Sequence, residues 1–172
     1  MPERPLILTG FMGCGKSSVG RVLAKHLSCP FIDLDREIVR DSGRTINDIF
    51  SRDGEQAFRS LESSCLGQVL QTSCSVIATG GGAVISAENR SLMRSSGVVV
   101  HLDVSLAQVL QRLQGATDRP LFGGVDEANR LKSLMDDRKQ FYADADIRID
   151  TDGKSVEDVA AEILRFVRGL RV

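Results

Sequence analysis

The chain has 172 residues, 42% of them hydrophobic and 26% charged, and its formal net charge at pH 7 is −1. The length suits one domain, and the composition excludes an extensively disordered protein. The near balance of 22 basic and 23 acidic residues argues against a general binder of nucleic acid or anionic membranes. The sequence shows no signal peptide and no apolar run of membrane-spanning length, so we expect a cytoplasmic protein.

Strand and helix signals alternate in the first part of the chain. Residues 6–9 are short and apolar and predict a buried strand, and apolar residues at helical spacing predict a helix over 16–27. A second short strand is predicted over 31–34. Thr45 has the side chain of a helix N-cap, and Gly54 is expected to end the short helix that Thr45 begins.

The alternation continues toward the C-terminus. A longer helix is predicted over 55–70, and the stretches "SVIATGGG" and "GVVVHLD" predict two strands with a helix over 87–93 between them. Ser105 is placed to cap the next helix, and a charged amphipathic helix is predicted over 126–142. The stretch "IRID" predicts a fifth strand, and "SVEDVAAEILRFVRGL" predicts a last helix that opens with a capping box.

This order of elements predicts an α/β fold, in which a five-stranded parallel sheet carries helices on both faces. We expect a single domain over 1–172. The stretch "QGATDRPLFGGVDE" has three glycines, one proline and little periodicity, and such segments in small domains tend to be lids. We therefore predict a mobile lid over 112–124, with Arg119 inside it.

The stretch "GFMGCGKSSVG" at 10–20 matches the P-loop pattern, between a predicted strand and a predicted helix. Its glycines let backbone N–H groups converge on phosphate oxygens, and the helix N-terminus adds partial positive charge. Lys16 is placed to reach the β- and γ-phosphates of a nucleotide, and Ser17 to ligate Mg²⁺. Because the sequence has no N-K-x-D guanine signature, we expect the nucleotide to be ATP.

Two carboxylates, Asp33 and Asp35, lie at the end of the second predicted strand, in "FIDLD". Residues two apart on a strand point to the same side, and the carboxyl ends of parallel strands face the ligand crevice. One carboxylate is then expected to support Mg²⁺, and the other to accept a proton from an attacking hydroxyl. The alternative, that both residues cap the following helix, stays open.

Three further features are candidates for substrate binding. The glycine triplet 80–82 follows the third strand, where a ligand can approach the backbone closely. Arg138 lies in an apolar stripe of the predicted 126–142 helix, so it must reach solvent, form a pair or hold a ligand. Arg59 is equally consistent with substrate binding and with a solvated ion pair to Glu62.

Taken together, these motifs resemble the shikimate kinase family, and the match runs almost end to end. The stretches that carry the resemblance are "GFMGCGKSSVG", "FIDLDREI", "GRTINDIFSRDGEQAFRSLE", "VIATGGGAV", "DRPLF" and "LMDDRKQFY". Two small departures occur in the P-loop, where Cys14 and Ser18 stand at positions that are often Ser and Thr in the family.

The resemblance implies a P-loop kinase fold with a small substrate-binding region over 33–61 and the lid. It implies transfer of the γ-phosphate of ATP to the 3-hydroxyl of shikimate, with Mg²⁺, by a monomer that needs neither nucleic acid nor membrane. The nucleotide-binding residues that it implies are Gly13, Cys14, Gly15, Lys16, Ser17, Ser18, Arg112, Arg119 and Lys154. Those implied for shikimate are Asp35, Arg59, Gly80, Gly81, Gly82 and Arg138. Ser17 and Asp33 are implied for the metal, and Lys16, Asp35 and Arg119 for catalysis.

Other functions remain as alternatives. A gluconate-type or other small-metabolite kinase shares the P-loop and the sheet, but it does not need Arg59, the glycine triplet and Arg138 together. A nucleoside monophosphate kinase uses an insert for which this chain is short. An inactive binding module would be expected to have lost Lys16, Ser17, Asp35 or Arg119, and all four are present.

Overall fold

A computed structural model describes residues 4–114 and 125–169, and a five-stranded sheet lies at its centre. The strand order is β2-β3-β1-β4-β5, and every neighbouring pair is parallel. The strands are β1 Leu6–Gly10, β2 Phe31–Asp33, β3 Val76–Ala78, β4 Val98–Asp103 and β5 Ile147–Asp150. Because all strands run in one direction, their carboxyl ends meet at a single edge of the sheet.

Seven α-helices occur in the described part of the chain. They are α1 Lys16–Leu27, α2 Leu34–Ser42, α3 Ile46–Val69, α4 Ala87–Ser96, α5 Leu106–Gln114, α6 Val125–Lys139 and α7 Val156–Gly169. Two short 3-10 helices, Ala83–Ile85 and Gln140–Asp144, complete the regular structure there. Helices link consecutive parallel strands, so the predicted α/β architecture is confirmed.

The core consists of two apolar clusters, one on each face of the sheet. Leu6 and Leu8 of β1 pack in the first cluster with residues of α1 and α7, whereas Ile7 packs in the second with residues of α3 and α4. All three side chains are at most 1% exposed. A strand that is apolar on both sides must be covered on both faces. This burial fixes β1, and with it the start of the glycine-rich loop.

Helix ends follow the capping signals in the sequence. Asp48 N–H donates to Thr45 Oγ1 at 3.1 Å and starts α3. Asp158 N–H donates to Ser155 Oγ at 3.1 Å, and Ser155 N–H donates to Asp158 Oδ2 at 3.3 Å, which is the reciprocal capping box. Gly54 has φ 82° and kinks α3. The two helices predicted on either side of Gly54 therefore form one kinked helix.

Two further predicted boundaries are wrong. β2 ends at Asp33, whose side chain accepts from Arg36 N–H at 3.4 Å and starts α2. Asp35 therefore lies in the first turn of a helix, and the argument that Asp33 and Asp35 point to the same side of one strand does not hold. The helix predicted over 126–142 ends at Lys139, and the 3-10 helix that follows brings Tyr142 into the core.

Part of the predicted lid lies outside the described residues, namely 115–124 with Arg119. Among the residues that are described, no helix combines the length and the apolar character needed to cross a bilayer.

Candidate active site

The P-loop joins the end of β1 to the start of α1. Gly15 adopts φ 96°, a left-handed conformation, directly before Lys16, the first residue of α1. The first N–H groups of a helix have no partner within the helix, and its N-terminus carries partial positive charge. Ser17 and Ser18 lie in this first turn, and Cys14, within the loop, is only 2% exposed. The loop and helix end together are suited to bind an anion.

Lys16 folds back over the loop. Its Nζ donates to the carbonyl oxygens of Gly10 at 2.8 Å and Phe11 at 3.0 Å, and lies 3.6 Å from Cys14 Sγ. A second cation is close, because Arg112 Nη1 donates to the carbonyl oxygen of Gly13 at 2.7 Å. Two positive charges therefore border the loop that is predicted to bind phosphates.

Asp33 links the P-loop to the end of β2. Ser17 Oγ donates to Asp33 Oδ2 at 2.7 Å, while Asp33 Oδ1 caps α2. The two functions that the sequence left as alternatives for Asp33 are thus compatible, since each uses a different oxygen. A hydroxyl and a carboxylate at this separation are the oxygen donors that Mg²⁺ prefers.

The glycine triplet 80–82 brings together side chains from three helices. A Cβ placed on its first glycine would lie 2.6 Å from Glu62 Oε1 and 3.1 Å from Asp35 Oδ1. On the second glycine it would lie 3.7 Å from Arg138 Nη1, and on the third it would overlap the Arg59 guanidinium. The structure thus places Asp35, Arg59 and Arg138 around one short backbone segment, at the carboxyl edge of β3.

Arg59 forms an ion pair whose acidic partner is buried. Its Nη1 lies 2.6 Å from Glu62 Oε2, and the Glu62 side chain is only 1% exposed. The pair is therefore not the solvated ion pair that the sequence left open as the alternative for Arg59, because its acidic partner is buried. Burial raises the pKa of the Glu62 carboxyl; the ion pair with Arg59 opposes the rise and nearby Asp35 adds to it. Sequence reasoning assigned Glu62 no function, although its spacing from Arg59 on a helix was visible.

Arg138 of α6 is half-buried and extends to the glycine triplet 80–82. Its Nη1 donates to the carbonyl oxygen of Gly81 at 3.2 Å, and its guanidinium carbon lies 5.9 Å from the centre of the Phe11 ring. Within the described residues, its Nε is buried and has no hydrogen-bond partner, as is also true of the Nε of Arg59. Buried guanidinium N–H groups normally find an acceptor, so both arginines are suited to an anionic ligand.

The last predicted nucleotide contact, Lys154, lies in the turn after β5. Its Nζ forms an ion pair with Glu162 Oε2 of α7 at 2.7 Å. This turn is at the same edge of the sheet as the P-loop, but the ion pair directs the ammonium to α7. A role for Lys154 in binding the nucleotide stays a prediction.

The Glu62 carboxyl gives a test by pH. Because its folded-state pKa is raised above the ordinary 4.5, stability is lost as the pH rises above that value, when the carboxylate ionises. Glutamine mimics the neutral form at every pH. We therefore expect Glu62→Gln to raise the melting temperature at neutral pH, with a gain that shrinks as the pH falls toward 4.5.

Scanning calorimetry over a pH series measures this gain. Glu55→Gln is the matched control, because Glu55 also pairs with Arg59, at 3.4 Å, but its side chain is 64% exposed. That control should change the melting temperature little at any pH. A lower melting temperature for Glu62→Gln at neutral pH would show that the ion pair outweighs the effect of burial.

The fold and the site together define the protein as a P-loop kinase. The parallel sheet has the order β2-β3-β1-β4-β5, with a P-loop after β1, an acidic residue at the end of β2 and a glycine triplet after β3. A family model described as shikimate kinase matches residues 12–168. The chain therefore belongs to the shikimate kinase family, and the resemblance seen in its motifs is confirmed.

Individual relatives agree over nearly the whole chain. Shikimate kinase of Geobacter metallireducens is 52% identical over 166 residues, which cover 96% of this chain and 93% of the relative. Shikimate kinase of Geobacter sulfurreducens is 52% identical over 165 residues, covering 96% and 91%. A solved structure, shikimate kinase from Acinetobacter baumannii in complex with shikimate, matches with a TM-score of 0.91 at 35% identity, covering 98% of this chain and 95% of that one.

Proposed function

We propose that this protein transfers the γ-phosphate of ATP to the 3-hydroxyl of shikimate, giving shikimate 3-phosphate and ADP. The observation that carries the proposal is the convergence of the Arg59 and Arg138 guanidinium groups with Asp35 on the glycine triplet 80–82. A P-loop alone is common to many kinases. The two arginines beside a carboxylate are what fit an acceptor that has both an acid group and a hydroxyl.

The acceptor's carboxylate is held by Arg59 and Arg138. Planar guanidinium groups match a carboxylate through paired N–H donors. The proposal is supported by the buried Nε atoms of both arginines, which have no partner among the described residues. Backbone N–H groups of the glycine triplet 80–82 hold the rest of the acceptor, because glycine lets a ligand approach the chain closely.

In the reaction, the 3-hydroxyl oxygen bonds to the γ-phosphorus, and the bond from that phosphorus to the β–γ bridging oxygen breaks to release ADP. Asp35 orients the hydroxyl and takes its proton. Gly13 and Gly15 give the loop its shape around the phosphates, and Lys16 meets the charge that develops on them. Arg119, outside the described residues, is assigned to the same task.

The residues present fit Mg²⁺. Ser17 Oγ and Asp33 Oδ2 lie 2.7 Å apart, and both are oxygen atoms of the kind that ligate Mg²⁺. Mg²⁺ is commonly held by one or two protein oxygens together with substrate phosphates and water. When bound there, the ion neutralises phosphate charge. Ser17 and Asp33 orient each other through their hydrogen bond and so keep the two metal-ligating oxygens in place.

We further propose that the enzyme acts as a cytoplasmic monomer of one domain, in which 33–61 binds the acceptor and 112–124 closes over the site. The balanced net charge of −1 supports an enzyme for small molecules that binds neither nucleic acid nor membrane.

The function is tested with purified protein, MgATP and a panel of acceptors: shikimate, quinate, gluconate and AMP. Release of ADP is followed for each acceptor. We expect rapid release with shikimate and far slower release with gluconate and AMP. Preference for gluconate or AMP would contradict the proposal and favour another P-loop kinase. No release above the ATPase background with any acceptor would favour an inactive binding module.

The role of Arg138 is tested by Arg138→Lys, which keeps the charge but loses the planar pair of donors. Loss of one charged hydrogen bond costs about 1.5–3 kcal/mol, so the Michaelis constant for shikimate should rise about ten- to a hundredfold. The Michaelis constant for ATP should hardly change. Initial-rate kinetics with each substrate varied in turn measure both constants.

An amide analogue of shikimate is the control for this substitution. It should be a poor substrate of the parent enzyme, and Arg138→Lys should reduce its use little further, because the carboxylate is already absent. A penalty that falls on ATP, or equally on acid and amide, would exclude Arg138 as the residue that binds the carboxylate.

A further inference from the structure

The carbonyl oxygen of Gly81, in the middle of the glycine triplet, accepts two hydrogen bonds from side chains. Tyr142 Oη donates to it at 3.0 Å, and Arg138 Nη1 donates to it at 3.2 Å. Three consecutive glycines form the most flexible kind of backbone, because none has a Cβ to restrict its φ and ψ angles. A well-defined binding surface built from them needs hydrogen bonds from outside the segment.

The two donors differ in how firmly they are held. Arg138 is half-buried and, in the proposed function, also grips the substrate. Tyr142 is 8% exposed, and its ring stacks on the His101 ring with centres 4.3 Å apart and planes 17° apart. Tyr142 is thus the fixed donor of the pair.

Tyr142 and His101 are both uncharged at neutral pH. Burial raises the pKa of Tyr142 above its ordinary value of 10, so the phenol remains a hydrogen-bond donor. Burial also lowers the pKa of His101 to about 4, with Asp103 opposing the change, so a neutral ring supports the tyrosine at neutral pH.

A hydrogen bond to the Gly81 carbonyl oxygen also orients the rest of that peptide unit. The peptide unit between Gly81 and Gly82 is planar, so fixing the carbonyl direction also fixes the direction of the Gly82 N–H group. Gly82 packs against the Arg59 guanidinium, and Gly81 lies next to Arg138. The peptide plane held by Tyr142 therefore lies between the two arginines of the acceptor site.

We propose that Tyr142 is a positioning residue for the acceptor: through its hydrogen bond to the Gly81 carbonyl, it holds the peptide against which Arg59 and Arg138 are arranged. Tyr142 itself is not assigned any contact with substrate. This inference rests on the proposed function, which takes the glycine triplet and Arg138 as the acceptor site. It assigns a role to a residue that the sequence motifs left without one.

The test is Tyr142→Phe, which removes only the hydroxyl and keeps the ring that stacks on His101. We expect the dissociation constant for shikimate, measured by calorimetry, to rise about three- to tenfold, the range for one neutral hydrogen bond. The dissociation constant for ATP should stay within about twofold of the parent value, since the proposed phosphate contacts lie in the P-loop and not in the glycine triplet 80–82. A shift that is equal for shikimate and ATP, or that is absent for shikimate, overturns the proposal.

Ser75→Ala is the matched control. Ser75 is 1% exposed, and its Oγ donates to the carbonyl oxygen of Thr72 at 3.0 Å, directly before the start of β3 and away from the carboxyl edge. Its loss should lower the melting temperature, as Tyr142→Phe also should, but leave shikimate affinity unchanged. If Ser75→Ala weakens shikimate binding as much as Tyr142→Phe does, the effect is general destabilisation and the proposal fails.

A spectroscopic measurement tests the proposal without removing the Tyr142 side chain. Tyr142 is the single tyrosine of the chain, so fluorotyrosine incorporation places one fluorine probe at this residue. We expect saturating shikimate to shift its fluorine NMR resonance more than ADP does, because shikimate binds against the peptide to which the phenol donates its hydrogen bond. An unchanged resonance with shikimate overturns the proposal, whether or not the phenylalanine variant folds.

Comparing the Arg138→Lys and Tyr142→Phe single variants separates this proposal from the proposed function. If Arg138→Lys weakens shikimate binding but Tyr142→Phe does not, the acceptor site stands and only the role of Tyr142 fails. If Arg138→Lys leaves shikimate binding unchanged, the acceptor site itself is wrong, and the role of Tyr142 fails with it. If both weaken binding, the double variant should lose less than the two single losses combined, because both side chains donate to one carbonyl.

Discussion

Replacing Lys16 with methionine is expected to lower the turnover number by about 10²–10³-fold or more, while leaving the fold intact. The Lys16 ammonium lies within the P-loop, 2.8 Å from the Gly10 carbonyl oxygen and 3.0 Å from that of Phe11. In the proposed function, this position places it close to where negative charge develops on the transferring phosphoryl group. Methionine has a similar length but no charge, so it retains the packing of the stem and removes the stabilisation of the transition state.

The measurement is the initial rate of ADP release at saturating ATP and shikimate, with circular dichroism to confirm the fold. Lys25→Met is the matched control, because Lys25 lies in the last turn of the same helix, α1, and is exposed. It should leave turnover close to that of the parent. Turnover of the Lys16 variant within a few-fold of the parent would show that the P-loop does not bind the reacting phosphate.

Local signals in the sequence predicted most of the fold. The P-loop pattern placed the start of α1 at Lys16, and the side chains of Thr45 and Ser155 marked two helix starts that the hydrogen bonds confirm. These features depend on residues close together in the chain, so a single sequence contains them. The parallel sheet was predicted because short apolar strands separated by helices have few other ways to bury both faces.

Features that depend on distant residues were harder to predict. Asp35 was expected on a strand, because "FIDLD" alone does not decide between strand extension and the capping alternative that the sequence left open, and Asp33 makes the helix cap. The burial of Glu62 depends on the backbone of 80–82, which passes beside it in space. Tyr142 meets the Gly81 carbonyl across a separation of 61 residues. No local pattern reports such a contact.

The buried carboxylate of Glu62 shows how a contact between distant parts of the chain affects both stability and the site. A carboxyl whose pKa is raised by burial lowers stability when it ionises, so packing alone would favour a neutral side chain there. Its ion pair with Arg59 at 2.6 Å gives it another use, since it fixes the orientation of a guanidinium beside Gly82. In the proposed function, this orientation prepares Arg59 for the acceptor at a cost in stability, and Glu62→Gln tests that cost.

Replacing Asp35 with asparagine is expected to lower the turnover number far more than the affinity for shikimate. The amide keeps the shape of the carboxylate and can still hydrogen-bond the acceptor hydroxyl, but it cannot take the proton. General-base catalysis contributes about 10²–10⁴-fold, so turnover should fall by that factor. The dissociation constant for shikimate should change only a few-fold. Turnover is measured as ADP release at saturating shikimate, and affinity by calorimetry.

Asp41→Asn provides the matched control for this substitution. Asp41 lies near the other end of the same helix, α2, where its side chain is 46% exposed and pairs with Arg40. Loss of an exposed pair costs about 0–1 kcal/mol, so neither turnover nor shikimate affinity should change appreciably. If the Asp35 variant binds shikimate weakly but turns over normally at saturation, Asp35 only binds the acceptor, and proton transfer needs another group. The buried Glu62 carboxyl, which borders the same glycine as Asp35, is then the next residue to test.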